Sequence, residues 1–134
     1  MERHFYNAER IADFLLENQS RLGIESINYP GFKDHPGHEI AKSQMSGYGS
    51  IITIVVAGGL KRADEILQRC NLFQFAVSLG GVESLIEHPA SMTHAAIPPE
   101  RREKLGLVDG LLRLSVGIES VEDLIEDIEQ ALEN

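Results

Sequence analysis

Residues 51–57, with the sequence IITIVVA, constrain the fold of this chain more than any other stretch. β-branched residues dominate the run, and they favour a strand over a helix because their χ1 angles are restricted. The apolar residues 51–60 are too few to span a bilayer, and they include Gly58 and Gly59. These glycines turn the chain into an amphipathic segment. We therefore predict a strand that is covered on both faces and followed by a helix.

The other segments alternate between helical and extended patterns. Apolar residues within 1–16 recur at the helical spacing, which predicts an amphipathic first helix ending near Ser20. Ser120 resembles a helix cap and begins the last helix. The remaining predicted elements are strands at 24–29, 72–77, 84–87 and 110–116, and helices at 39–45, 60–70 and 98–104. The fold class is α/β, or α+β in two layers, with helices on a sheet of roughly three to five strands.

Composition limits the classes of partner. The chain has 134 residues, of which 43% are hydrophobic and 25% charged, and this predicts one folded domain over 1–134. A net charge of -9 argues against nucleic acid or an anionic membrane as the partner. Cys70 is the single cysteine, which fits a reducing compartment, and the charged N-terminus lacks a signal-peptide core. We predict a cytoplasmic location.

Arg113 lies inside the apolar run LLRLSV, between Leu112 and Leu114. A guanidinium does not lose its charge, so a position beside the core requires an anion as partner. The functional interpretation is a bidentate clamp on a substrate carboxylate. The alternatives are an internal salt bridge to a glutamate, or an arginine on the exposed face of a half-buried strand. The spacing leaves these interpretations open.

The Ser78-Leu79-Gly80-Gly81 turn follows another predicted strand. Its hydroxyl and free backbone N–H groups could face an anion. The alternative is a tight turn whose glycines adopt positive φ. Neither a Walker pattern nor a GxGxxG motif is found in the sequence, so the turn is not a phosphate loop.

Other polar residues receive structural interpretations. His35 and His38 form an H-x-x-H in a loop, and His88 and His94 lie either side of Pro89, but no carboxylate or cysteine stands at metal-ligand spacing. We predict no metal site. Cys70 is predicted to belong to the core rather than to act as a nucleophile. The acidic residues predicted to form the solvated face of the last helix are Glu122, Asp123, Glu126, Asp127 and Glu129.

Long stretches of the chain resemble one enzyme family. The runs SLGGVESLIEHPASMTH and GLLRLSVGIES, with the upstream NYPGFKDHPGHEIAKSQMSGYGS and MERHFYNAERIADFL, are similar to the C-terminal end of the pyridoxal-phosphate (PLP) enzymes of cysteine and methionine metabolism. This family includes cystathionine γ-synthase, cystathionine γ- and β-lyases and methionine γ-lyase. The resemblance implies the small C-terminal domain of a fold type I PLP enzyme, with helices on a mostly antiparallel sheet. It also implies an oligomer, usually a tetramer built from dimers.

The resemblance also implies a set of substrate-binding residues. By similarity, Arg113 would bind the α-carboxylate of an amino-acid substrate, with Ser78 beside that carboxylate and the lysine–PLP imine. Thr93 would line the same pocket. Val77 and Leu79 flank Ser78 and complete the set. Val77 stands where enzymes acting on cystathionine often have a glutamate, which implies a substrate with an uncharged sulfur side chain, such as methionine or homocysteine.

One departure from the family pattern concerns the cofactor. The family's Schiff-base lysine lies in a Ser-x-Thr-Lys motif, and none of the lysines here does: they are Lys33, Lys42, Lys61 and Lys104. The resemblance therefore implies that the large PLP-binding domain is absent from this chain, which alone would bind no PLP and catalyse nothing. We predict an N-terminal PLP-binding half as its partner. The alternative is a non-catalytic module that binds amino acids or mediates oligomers.

Overall fold

The computed structural model describes residues 1–133, which contain five helices and five strands in mixed order along the chain. The α/β class is thus confirmed. The helices are α1 (Glu2–Glu17), α2 (His38–Gln44), α3 (Gly59–Arg69), α4 (Pro99–Lys104) and α5 (Val121–Leu132). The strands are β1 (Ile24–Asn28), β2 (Ile51–Val56), β3 (Gln74–Phe75), β4 (Leu85–Glu87) and β5 (Leu111–Ser115). No helix within 1–133 is both long and apolar enough to cross a membrane.

The strands form one mixed sheet in the order β1-β2-β5-β4-β3. Every pairing is antiparallel except that of β3 with β4, which is parallel. The central strand β5 pairs with β2 on one side and with β4 on the other. In this register Arg113 lies opposite Thr53 of β2 and opposite Glu87 of β4.

Helices α1, α3 and α5 cover one face of this sheet, and α5 contacts both α1 and α3. Alternate residues of the two central strands fill the core beneath them: Ile52 and Ile54 from β2, Leu112 and Leu114 from β5. All four are fully buried. Since side chains alternate along a strand, the intervening residues, including Arg113, lie on the opposite face.

The prediction that β2 is covered on both faces was wrong. Ile52, Ile54 and Val56 are buried, but the residues between them are only half-buried. β2 is therefore a strand with one core face, despite its continuous apolar sequence. Its second face forms part of the surface on which Arg113 lies.

The predicted strand at 72–77 is much shorter in the structure. Only Gln74 and Phe75 pair with β4, and Phe75 and Val77 are exposed. The reason lies just upstream, where the backbone N–H groups of residues 71–73 donate to the carboxylate of Asp127 instead of joining a ladder. The partner strand is also short, so few pairs can form.

Asp127 itself contradicts the prediction of a solvated acidic face on α5. It is 5% exposed, whereas Glu122, Asp123 and Glu126 are exposed as expected. Its Oδ1 accepts from Asn71 at 2.8 Å, and its Oδ2 accepts from the next two N–H groups at 2.9 and 3.0 Å. The carboxylate therefore joins α5 to the segment between α3 and β3.

Cys70 is the C-cap residue directly after α3 and packs, partly buried, against the core. Burial, with a smaller contribution from the charge of Asp127, raises the pKa of its thiol to about 12. Because the thiolate is the reactive form, we expect iodoacetamide at about pH 8 to label Cys70 more than about tenfold more slowly in the folded chain than in urea. Intact mass against time measures both rates. Equal rates in the two conditions would contradict the buried, protonated thiol.

Candidate carboxylate-binding site

Arg113 occupies the middle of β5 on the face of the sheet opposite the helices. Its neighbours in the chain, Leu112 and Leu114, fill the core, so alternation along the strand places the guanidinium on the other face. Its side chain is 28% exposed. The cation is thus held by a rigid central strand but remains reachable from solvent.

Glu87 is the ion-pair partner of Arg113. Arg113 Nη2 lies 2.9 Å from Glu87 Oε1, and the Glu87 side chain is only 2% exposed. The two residues are direct cross-strand partners of β4 and β5. The internal salt bridge that the sequence left open is therefore present in the structure. The contact is electrostatic rather than a well-aligned hydrogen bond, since neither Glu87 oxygen has an aligned donor within residues 1–133.

The ion pair with Glu87 uses only one nitrogen of the Arg113 guanidinium, Nη2. Within residues 1–133, no acceptor forms a hydrogen bond to Nε or Nη1 of Arg113. A guanidinium carries five N–H donors in a planar fork. An ion pair through Nη2 therefore leaves donors that a second carboxylate can engage.

The Ser-Leu-Gly-Gly turn lies over the same face of the sheet. Gly80 donates its backbone N–H to Ser115 Oγ at 2.9 Å, and Ser115 is two residues beyond Arg113 on β5, so both point to one face. Gly80 adopts φ 78°, a left-handed conformation that glycine reaches without strain. The structure thereby brings this turn and Arg113, which are distant in sequence, into one region.

The predicted substrate-binding residues of this turn are solvent-exposed. Val77 is 62% exposed, and Ser78 and Leu79 are also exposed. Within residues 1–133, the Ser78 hydroxyl forms no hydrogen bond. Polar and apolar groups are therefore available beside the sheet face that carries Arg113.

Residues that the sequence analysis did not single out hold this turn in place. Ser84 donates through its N–H and its hydroxyl to the two Glu119 oxygens at 2.7 and 2.8 Å, and its Oγ accepts from the N–H of Gly117. His4 Nε2 lies 3.1 Å from the carbonyl oxygen of Gly81. No local pattern in the sequence signals these contacts, because each joins residues that are more than thirty positions apart in the chain.

Thr93 lies in the segment that follows β4. Its Oγ1 is 2.7 Å from His94 Nδ1 and 3.5 Å from the Pro89 carbonyl oxygen, so the structure does not bring it into hydrogen-bond contact with Arg113. His88 anchors the segment, with Nδ1 2.7 Å from Ser91 Oγ. Its Nε2 lies 2.5 Å from the carbonyl oxygen of Asp109 and must donate to it.

The other histidines singled out in the sequence have structural contacts. His38 is buried, with Nδ1 2.8 Å from the Pro30 carbonyl oxygen and its ring stacked on Tyr48. His35 Nδ1 accepts from the N–H of Gly37 at 2.9 Å. Among residues 1–133, no group of three or more His, Cys, Asp or Glu side chains could hold a metal ion.

With this geometry in place, comparison with known proteins identifies the class. The model of the Cys/Met metabolism PLP-dependent enzyme family matches residues 1–133, and the chain belongs to that family. It is 52% identical over 134 residues to a cystathionine gamma-lyase of Bacillus subtilis, covering 100% of this chain and 34% of that protein. It is 50% identical over 133 residues to an L-methionine gamma-lyase of Fusobacterium nucleatum subsp. polymorphum, covering 99% and 33%.

Solved structures agree with the fold. The crystal structure of the cystathione gamma lyase of Micromonospora echinospora superposes with a TM-score of 0.89 at 40% identity, over 98% of this chain and 33% of that one. The family resemblance seen in the sequence is confirmed. The chain spans about a third of the length of the relatives it matches.

The residues described do not fit PLP, the cofactor of the family. A lysine that forms a Schiff base has to be desolvated or placed beside another cation so that its amine is free at neutral pH. The lysines of this chain are all exposed: Lys33, Lys42, Lys61 and Lys104. Residues 1–133 enclose none of them, so the chemistry of PLP is not assigned to these residues.

Proposed function

We propose that this chain is the C-terminal substrate-binding part of a PLP-dependent sulfur-amino-acid enzyme. The complete enzyme would catalyse γ- or β-elimination or replacement on cystathionine, homocysteine or methionine. Within it, Arg113 binds the α-carboxylate of the substrate. The observation that carries this proposal is a rigid, solvent-reachable arginine whose buried ion pair leaves Nε and Nη1 without a partner among residues 1–133.

The chemistry of the site suits an amino-acid carboxylate. A guanidinium and a carboxylate can form two parallel charge-assisted hydrogen bonds, each worth about 1.5–3 kcal/mol. Ser78 supplies a hydroxyl. It belongs to the turn whose Gly80 N–H donates to Ser115 Oγ, on the sheet face that carries Arg113. The exposed Val77 and Leu79 supply apolar surface for a side chain such as that of methionine or homocysteine. Thr93 completes the proposed pocket.

In this proposal a partner supplies the PLP chemistry that the residues of this chain do not provide. An N-terminal PLP-binding half, from the same gene or a split gene, supplies the Schiff-base lysine and the electron sink. Support comes from the chain covering about a third of its relatives and from its exposed lysines. The chain alone is catalytically silent, and the working enzyme is a cytoplasmic oligomer.

The test is a PLP titration followed by absorbance, with borohydride trapping and intact mass. The chain is measured alone and then mixed with a family N-terminal half that carries the lysine. We expect only the mixture to retain PLP on the lysine of that half and to turn over a sulfur amino acid. The matched control is the N-terminal half without this chain, which should show no turnover.

Two results would change the conclusion. Turnover by this chain alone would contradict the assignment of the lysine to a partner. If the mixture forms no complex and no turnover follows, the split-enzyme proposal fails, and a non-catalytic amino-acid-binding module becomes the better interpretation.

A further inference from the structure

Glu87 places a negative charge where water cannot reach it. Its side chain is 2% exposed, and within residues 1–133 Arg113 is the only cationic side chain within 4.0 Å of its carboxylate. A carboxylate removed from water is tolerated only when an opposite charge compensates it. The charge of Arg113 is therefore balanced by its cross-strand neighbour Glu87 before any ligand binds.

The register of the sheet fixes this arrangement. Glu87 and Arg113 face each other across the antiparallel pair of β4 and β5, and directly opposed side chains on such a pair lie close enough to interact. On the other side of β5, the residue opposite Arg113 is Thr53, which carries no charge. The guanidinium is thus drawn toward β4, with Nη2 2.9 Å from Glu87 Oε1, while 28% of the Arg113 side chain stays exposed.

A neutral pair attracts ligands differently from a lone cation. The charge of Glu87 repels a dianion about twice as strongly as a monoanion, because the Coulomb energy scales with ligand charge. A zwitterionic amino acid, whose net charge is zero, is repelled least. Affinity for it then comes from directed hydrogen bonds to the oriented guanidinium rather than from net charge.

We infer that Glu87 is a positioning and specificity-determining residue: it orients Arg113 and makes this site prefer the carboxylate of an amino acid over inorganic dianions. This inference rests on the proposed role of Arg113. Glu87 does not itself touch the substrate carboxylate in this assignment, and it acts through the guanidinium.

The test measures binding of L-methionine and of inorganic phosphate by the same chain at constant ionic strength, because salt screens partly exposed charges. Both are followed by NMR through the Nε–Hε signal of Arg113, assigned by its loss in Arg113→Lys. In Glu87→Gln, we expect the affinity ratio of methionine to phosphate to fall by about tenfold or more. The exposed Glu100→Gln is the matched charge control and should leave the ratio unchanged.

Glu87→Asp separates orientation from charge. It keeps the carboxylate but shortens its reach, so we expect phosphate to stay excluded while methionine binding weakens and the Nε–Hε signal broadens. If circular dichroism shows that Glu87→Gln is unfolded, Glu87→Asp alone tests the inference. Wild-type methionine affinity and signal width in Glu87→Asp, or an unchanged ratio in a folded Glu87→Gln, would overturn the inference.

The inference and the proposed function can fail separately. If the wild-type chain shows no methionine binding at any concentration, the carboxylate site fails for this chain. The role of Glu87 is then judged by phosphate: a gain of phosphate binding in Glu87→Gln supports it, and no gain overturns it.

Discussion

Replacing Arg113 with lysine should lower kcat/KM for L-methionine by about ten- to a hundredfold in the complex of this chain with a PLP-binding half. Lysine keeps the charge beside Glu87 but cannot form the two parallel hydrogen bonds of a guanidinium with a carboxylate. Loss of one such bond, worth about 1.5–3 kcal/mol, corresponds to this range. Steady-state kinetics of the wild-type and variant complexes measure the effect.

The choice of lysine follows from the structure. Arg113→Ala would leave the buried Glu87 carboxylate unpaired, which destabilises a fold by about 3–5 kcal/mol and would mix unfolding with lost binding. Arg101→Lys, on the exposed surface of α4, is the matched control and should retain wild-type kinetics. Wild-type kcat/KM in a folded Arg113→Lys complex would contradict the proposed role of Arg113 in binding the substrate carboxylate.

Replacing Asp127 with alanine should lower the free energy of unfolding by about 3 kcal/mol or more. The change removes the acceptor of three backbone N–H groups in the segment from Asn71 to Phe73, of which that of Phe73 is buried and the other two are partly buried. Domains of this size are stable by only about 5–15 kcal/mol, so the loss is a large fraction of the total. Urea denaturation followed by circular dichroism measures it.

The neighbouring Glu126 supplies the control for this prediction. It is on the same helix but exposed, so Glu126→Ala should change the free energy of unfolding by no more than about 0.5 kcal/mol. Asp127→Asn keeps one oxygen acceptor, so its free energy of unfolding should lie between those of Asp127→Ala and Glu126→Ala. Equal midpoints for Asp127→Ala and Glu126→Ala would show that the Asp127 contacts contribute nothing to stability.

Local patterns in the sequence determined most of the elements. The helical spacing of apolar residues predicted α1 and α5, and the β-branched run predicted β2, because these periodicities reflect which side of an element is buried. The apolar run LLRLSV also predicted the strand that carries Arg113, while the partner of its guanidinium stayed open between a substrate carboxylate and a glutamate.

The tertiary structure decided which groups meet. That Glu87, rather than another acidic residue, pairs with Arg113 depends on the register of β4 against β5, which local periodicity does not encode. Asp127 resembles its exposed neighbours on α5, yet it is buried because a segment more than fifty residues earlier in the chain donates to it. The same contact shortens the strand predicted at 72–77. Contacts between distant segments depend on how the elements pack, and a local sequence pattern carries no information about that packing.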